Sequence, residues 1–316
     1  MAPIRKEVCQ KETKLNNIFK PKSDKKFNPI EDWKAAKAFV SVPRVVSVPE
    51  SELNSEQLSI LKLVKKQCLL SDSEFFKNPL RLIVSGAAGT GKSIVIQHIL
   101  MYLEEEKKRR RRFDYWAVAP TAVAASTIEG QTIHSQFGLT RFKGDLYEAA
   151  TKLKKDGAKP NDVYFLIVDE MSMLGRRLFC YMDHYLRHSD EAFNQIPFGG
   201  RSVILCGDHW QLRPVKDSAL FEPTPTLCHK LGREALTVYQ SFNTVRILKT
   251  PSRQSGPDQQ EFRDLLHRVC RRQATPKDVK LLNSRRMRIL PREEQNLFEA
   301  AMHVYGKNSG VYTRNE

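Results

Sequence analysis

The eight residues Gly86-Ala87-Ala88-Gly89-Thr90-Gly91-Lys92-Ser93 constrain this chain more than any other stretch. They match G-x-x-x-x-G-K-[ST], a loop whose backbone N–H groups cradle phosphate oxygens. Before the loop, residues 80–85 read as a buried parallel strand; after it, residues 94–103 read as a helix. A strand that delivers glycines to a helix N-terminus makes an anion site, because the free N–H groups and the helix dipole both favour negative charge. In such a loop Lys92 reaches the β- and γ-phosphates of a nucleotide and the Ser93 hydroxyl ligates Mg²⁺. The competing reading is a glycine-rich turn that merely opens a structural helix. The context of strand and helix favours a nucleotide site.

The rest of the middle of the chain repeats the alternation. Strands are expected at residues 115–119, 163–168 and 202–206, with helices between them. Such alternation implies an α/β fold, a parallel sheet covered by helices on both faces. Each strand ends in a polar motif, where open α/β sheets carry their sites. These motifs are Pro120-Thr121, Asp169-Glu170, and Gly207-Asp208-His209-Trp210-Gln211-Leu212-Arg213-Pro214-Val215. Upstream, Leu53 to Leu58 reads as a polar cap entering a helix whose Leu58, Leu61, Val64 and Cys68 share one face.

The chemistry expected of these groups is phosphoryl transfer from ATP, which depends on placed charges more than on covalent help. Asp169 is expected to hold Mg²⁺ through water, and Glu170 to orient and activate the attacking water. Gln211 is positioned to hydrogen-bond the γ-phosphate or that water. Arg253 is read either as an arginine finger on the transferring phosphate or as an interdomain ion pair. Gln57, just upstream of the loop strand, is read either as an adenine reader or as a surface residue. The basic run Lys107 to Arg112 is read first as a solvated loop and second as a phosphate contact.

There are 52 Lys plus Arg against 36 Asp plus Glu, a net charge of +16, which suggests a polyanionic partner such as nucleic acid. The six cysteines include no C-x-x-C pair, which argues against a zinc ribbon or a secreted disulfide framework. No apolar run approaches a membrane span, and the chain is expected to be soluble and intracellular. Residues 1–50 carry many lysines and few apolar side chains and are expected to form a disordered basic tail. Within it, Leu15, Ile18 and Phe19 resemble a degenerate sliding-clamp peptide, set against a plain tail or a nuclear-import signal on Lys20 to Lys26. From Val245 the character changes, with helices expected beyond a Gly256-Pro257 turn, the first presenting Phe262, Leu265, Leu266, Val269 and Cys270 on one face.

Together these motifs resemble the PIF-type branch of the superfamily-one DNA helicases, kin to the RecD and Helitron helicases. The resemblance runs from Leu53 to about Arg271. It implies a RecA-like P-loop NTPase lobe over residues 51–245, with a linker and the start of a second lobe over 246–316. By the resemblance, Gln57 reads adenine, and Pro120, Thr121 and His134 lie on a single-strand DNA channel. The segment Ile128 to Ser135 is the most branch-specific part. Arg253 corresponds to a family arginine. Ala122 stands where the family usually has Gly, and Arg213 where it usually has Pro. The segment from His303 to Asn315 resembles the opening of the second lobe, so a truncated second lobe is expected. The resemblance further implies ATP and Mg²⁺ as cofactors, single-stranded DNA and DNA junctions as partners, and 5′ to 3′ unwinding in repair, recombination or telomere maintenance. The expected compartment is the nucleus, with the mitochondrion as alternative. A helicase-derived module that binds nucleotide and DNA without unwinding is the second reading.

Overall fold

Asn54 opens the first helix because its side chain accepts from the Gln57 amide N–H at 2.9 Å while Gln57 Oε1 accepts from the Asn54 N–H at 3.0 Å. This reciprocal capping satisfies two N–H groups that a helix start would otherwise leave unpaired. The structure, a computed structural model, describes residues 48–139, 163–188, 191–223, 230–252, 256–298, 304–305 and 309–310. The basic tail with Leu15, Ile18 and Phe19, and Arg253, lie outside the described residues.

The strands are β1 (Arg81–Gly86), β2 (Asp114–Ala119), β3 (Gln131–Thr132), β4 (Val163–Val168), β5 (Ser202–Gly207) and β6 (Thr244–Leu248). They form one six-stranded sheet in the order β3-β2-β4-β5-β1-β6, with every pairing parallel. The helices are α1 (Ser55–Gln67), α2 (Asp72–Lys77), α3 (Lys92–Arg110), α4 (Ala122–Thr127), α5 (Ile133–Gln136), α6 (Arg176–Arg187), α7 (Lys230–Gln240), α8 (Gln260–Cys270), α9 (Pro276–Ser284) and α10 (Arg292–Leu297). Among the described residues, no helix is long and apolar enough to cross a membrane.

Strand side chains alternate between two cores, as a period of two requires. Leu82, Val84, Phe165, Ile167, Ile204 and Cys206 bury against α1 and α3, joined by Leu61, Val64 and Ile96. Ile83, Leu166, Val168, Val203 and Leu205 bury on the opposite face, with Phe179 and Met182 of α6 and Leu231 and Val238 of α7. Burial on both faces explains why the central strands read as continuous apolar runs.

Three expectations change here. The run Lys107 to Arg112 is exposed through Arg111, as expected, but it is not a loop, because α3 continues through Arg110. Lys107 pairs with Asp114 at 2.9 Å, Arg109 and Arg110 both reach Glu106, and Arg112 pairs with Asp72 at 2.5 Å. Cations in a last helical turn also complement the helix dipole. The boundary expected at 245–246 falls inside β6, whose Val84–Arg246 and Ser85–Ile247 registers extend the sheet beyond it. Val245 and Ile247 are exposed on this edge strand, so the sequence there loses the look of a core strand. On α8 only Leu265 of the expected apolar face is buried, while Phe262, Leu266, Val269 and Cys270 are exposed.

Candidate nucleotide site and adjoining groove

The loop after β1 turns into α3 through Gly91, whose φ of 85° is left-handed. That φ favours glycine, and a Cβ on Gly91 would stand 2.4 Å from Gln57 Nε2, so Gln57 would have to shift. No side chain caps the start of α3, which leaves its first N–H groups free for an anion. Lys92 lies folded onto its own loop, its Nζ donating to Gly86 O at 2.7 Å and Ala87 O at 3.0 Å. Thr90 is buried and ties the loop internally by donating to Ala87 O at 2.8 Å.

β5 stands between β1 and β4 in the sheet, so Asp169 is one strand further from the loop than a directly adjacent strand end would be. The two nevertheless meet. A cleft of about 480 Å³ is lined by Gly89, Gly91, Lys92 and Ser93 of the loop together with Asp169, Glu170, Gln211 and Ser252. Asp169 is buried, and its Oδ1 accepts from the Glu170 N–H at 2.9 Å. Burial pushes the Asp169 carboxyl up to about 6, the neighbouring Glu170 adds to the rise, and the Glu170 N–H and Lys92 oppose it. Glu170 itself takes a left-handed backbone, φ 53° and ψ 46°, a conformation that non-glycine residues hold at a cost and that clusters at functional sites. Gly207 makes this turn possible, since a Cβ there would stand 2.9 Å from the Met171 backbone nitrogen.

Gln211 is fixed by its own turn. Its backbone N–H donates to Asp208 O at 3.0 Å and its Nε2 to Asp208 Oδ2 at 3.3 Å. Asp208 is buried and acts as the positioning residue, a role that the spacing of the motif does not announce. Glu170 and Gln211 also line a second, adjoining groove of about 310 Å³, with Thr121, the α4 residues Val123 and Thr127, and Leu212. Thr121 caps α4, accepting from the Ala124 N–H at 3.3 Å. Pro120 is half-buried beside it and His134, on α5, is exposed. Val123, Trp210 and Leu212 present exposed apolar surface at the same end of the sheet.

The PIF1-like helicase family model matches residues 52–278. The chain belongs to that family. Among PIF1-like relatives, the ATP-dependent DNA helicase PIF1 of Saccharomyces cerevisiae is 32% identical over 220 residues, covering 69% of this chain and 23% of the relative. The human ATP-dependent DNA helicase PIF1 is 30% identical over 197 residues, 59% of this chain and 28% of its own length. The chain therefore spans about a quarter of the length of these curated relatives. The crystal structure of Pif1 helicase from Candida albicans superposes with a TM-score of 0.55 at 25% identity, covering 72% of this chain and 46% of that one. Pif1 helicase from Bacteroides, crystallised with ADP-AlF3 and single-stranded DNA, shares the fold with a TM-score of 0.53 at 24% identity, over 83% of this chain and 56% of that one.

Within this PIF1-like lobe, the loop residues Ala88 to Ser93 apart from the buried Thr90 meet Asp169, Glu170 and Gln211 in one cleft. Gln57 is buried beside Gly91 rather than on the surface, with Oε1 engaged in the α1 cap and Nε2 turned to the loop. Ser252 stands in no motif of the sequence. Its N–H and its Oγ both donate to Gly89 O, at 2.7 and 2.9 Å. Glu56 completes this latch, since its Oε2 accepts from the Lys249 N–H at 2.9 Å and the Thr250 N–H at 3.4 Å. A serine and a glutamate of this kind carry no signal without the partner they meet.

Proposed function

We propose that this chain is the nucleotide-binding lobe of an ATP-dependent DNA helicase that couples ATP hydrolysis to movement along single-stranded DNA. One observation carries the reading: Glu170 and Gln211 form a shared wall between the phosphate cleft and the groove at Thr121. A change at the γ-phosphate position therefore acts directly on the surface of the second groove.

In this reading Lys92 leaves the Gly86 and Ala87 carbonyls to hold the β- and γ-phosphates, and the uncapped α3 start binds them through N–H groups. The oxygen-only donor set of Ser93 and Asp169 suits Mg²⁺, and these two residues would hold it. When bound, the ion supplies charge that offsets the phosphate oxygens. Glu170 accepts the proton of the attacking water, and Gln211, steadied by Asp208, orients that water or reads the γ-phosphate. Gln57 offers Nε2 to adenine, and Arg253 contributes a guanidinium to the transferring phosphate. Pro120, Thr121 and His134 contact single-stranded DNA, its junctions being the substrates of unwinding. The 5′ to 3′ polarity and a nuclear location are part of the proposal and rest on the family resemblance.

Steady-state ATP hydrolysis by the 316-residue chain, with and without an oligo-dT strand, tests the proposal. Stimulation by the strand, lost when Thr121 is replaced, is the expected result. Hydrolysis indifferent to DNA would favour the alternative, a nucleotide- and DNA-binding module without motor activity.

A further inference from the structure

On the sheet face away from the α1 and α3 side, α6 packs against α7. Cys180 and His184 lie four residues apart on α6 and thus on one face of it, and Glu234 of α7 meets them. Glu234 Oε2 stands 3.0 Å from His184 Nε2 and 3.6 Å from Cys180 Sγ. The sulfur, nitrogen and oxygen all lie within 4.8 Å of one another. None of the three lines either cleft described above.

Two explanations are open for these separations. A hydrogen-bonded cluster would need only the His184–Glu234 pair, and a thiol at 3.6 Å adds a weak donor to it. A tetrahedral zinc ion has Zn–S, Zn–N and Zn–O bonds of about 2.3, 2.0 and 2.0 Å, so its ligand atoms stand roughly 3.3 to 3.6 Å apart. The observed S···O distance of 3.6 Å falls in that range, and the N···O distance of 3.0 Å is about 0.3 Å short of it, a gap that small side-chain rotations close. Two ligands at i and i+4 on a helix plus a carboxylate from a neighbouring helix is also an economical way to build such a site. His184 sits in the last turn of α6, where the helix dipole favours a cation.

We propose that Cys180, His184 and Glu234 bind a zinc ion that clamps α6 to α7, with water as the fourth ligand. His184 and Glu234 are partly exposed, at 26% and 37%, so solvent reaches two of the three ligand side chains. On binding, the Cys180 thiol gives its proton to solvent as the Zn–S bond forms, and the oxidation state of zinc does not change. Ionised Cys180 and Glu234 together balance the charge of the ion. The clamp holds the helix that carries Tyr239, whose hydroxyl lies 3.3 Å from His209 Nε2 beside the Trp210-Gln211 turn.

The full chain, stripped with chelator and dialysed, is titrated with Co²⁺ and separately with Zn²⁺. Expected results are one metal ion per chain by elemental analysis, a sulfur-to-cobalt charge-transfer band, and a Zn²⁺-dependent rise in Tm. Cys180→Ala should remove the band, and both Cys180→Ala and Glu234→Gln should abolish the Tm rise and weaken Zn²⁺ binding by more than ~10²-fold, the limit for loss of a mere outer partner. Glu234→Gln is a part-exposed, near-isosteric change, and it keeps the test alive should Cys180→Ala fail to fold. Cobalt bound without a charge-transfer band, or Tm unmoved by Zn²⁺ in the wild-type chain, overturns the site; so does undiminished binding in Glu234→Gln.

Discussion

Ser252 donates twice to the carbonyl of Gly89, from its N–H at 2.7 Å and its hydroxyl at 2.9 Å. The segment that follows β6 is therefore fastened to the phosphate loop that follows β1, and Glu56 of α1 fastens the N–H groups of Lys249 and Thr250 in the same segment. Any rearrangement of the loop on nucleotide binding passes straight to the segment leading to α8.

This latch gives the first prediction. Glu56→Ala leaves the Lys249 and Thr250 N–H groups to water and loosens Ser252 on Gly89. KM for ATP should rise several-fold with kcat much less affected, because the chemical groups are untouched. Unchanged KM, measured by steady-state hydrolysis, would make the latch a packing detail.

Lys92→Ala removes the ammonium that now rests on Gly86 and Ala87 and that is assigned to the phosphates. Hydrolysis should fall below detection, and nucleotide affinity should drop in a fluorescent-analogue titration. Undiminished turnover would remove the loop from the mechanism.

Glu170→Gln separates binding from chemistry. The amide retains the shape but cannot accept the water's proton, so ATP should bind normally while hydrolysis falls by ~10²-fold or more. Joint loss of both would make Glu170 structural, a role its left-handed backbone also permits.

Asp169 supplies a pH test. Its carboxyl is raised from 3.8 to about 6 in the folded chain, so folding favours the protonated form. That stabilisation is complete below 3.8 and is lost as pH rises through 6. In metal-free buffer, Asp169→Asn should therefore stabilise the chain, and the gain should grow by about 1 kcal/mol between roughly pH 5 and pH 7.5. Urea unfolding at the two pH values checks it; a gain that shrinks with pH contradicts the assignment.

Arg112 distinguishes the two uses of the basic run. Its guanidinium pairs with Asp72 at 2.5 Å and lies 4.4 Å from the Phe113 ring centroid. Arg112→Ala should cost about 1–2 kcal/mol of stability and leave single-strand affinity and its salt dependence unchanged. Lost DNA affinity at intact stability would return the run to phosphate contact.

What was legible without the fold is mostly what lies within one short run of residues. The phosphate loop, the Asp169-Glu170 strand end, the Gln211 turn and the alternation of strands with helices each lie within a short contiguous stretch, where spacing fixes geometry. α4 is bounded at Ala122 and Thr127, as its small residues between Thr121 and Ile128 suggest. The extent of α3 was not legible, because six consecutive basic residues read as a loop until Glu106, Asp114 and Asp72 are seen beside them. Nor was β6, an edge strand whose outward Val245 and Ile247 hide its pairing with β1. Only the tertiary structure could bring Ser252 to Gly89 across 163 positions of chain, or Cys180 and His184 to Glu234 across 54 and 50. Periodicity tells which face of an element is buried, but the order β3-β2-β4-β5-β1-β6 decides which elements are neighbours, and that order is set by packing both faces of the sheet at once.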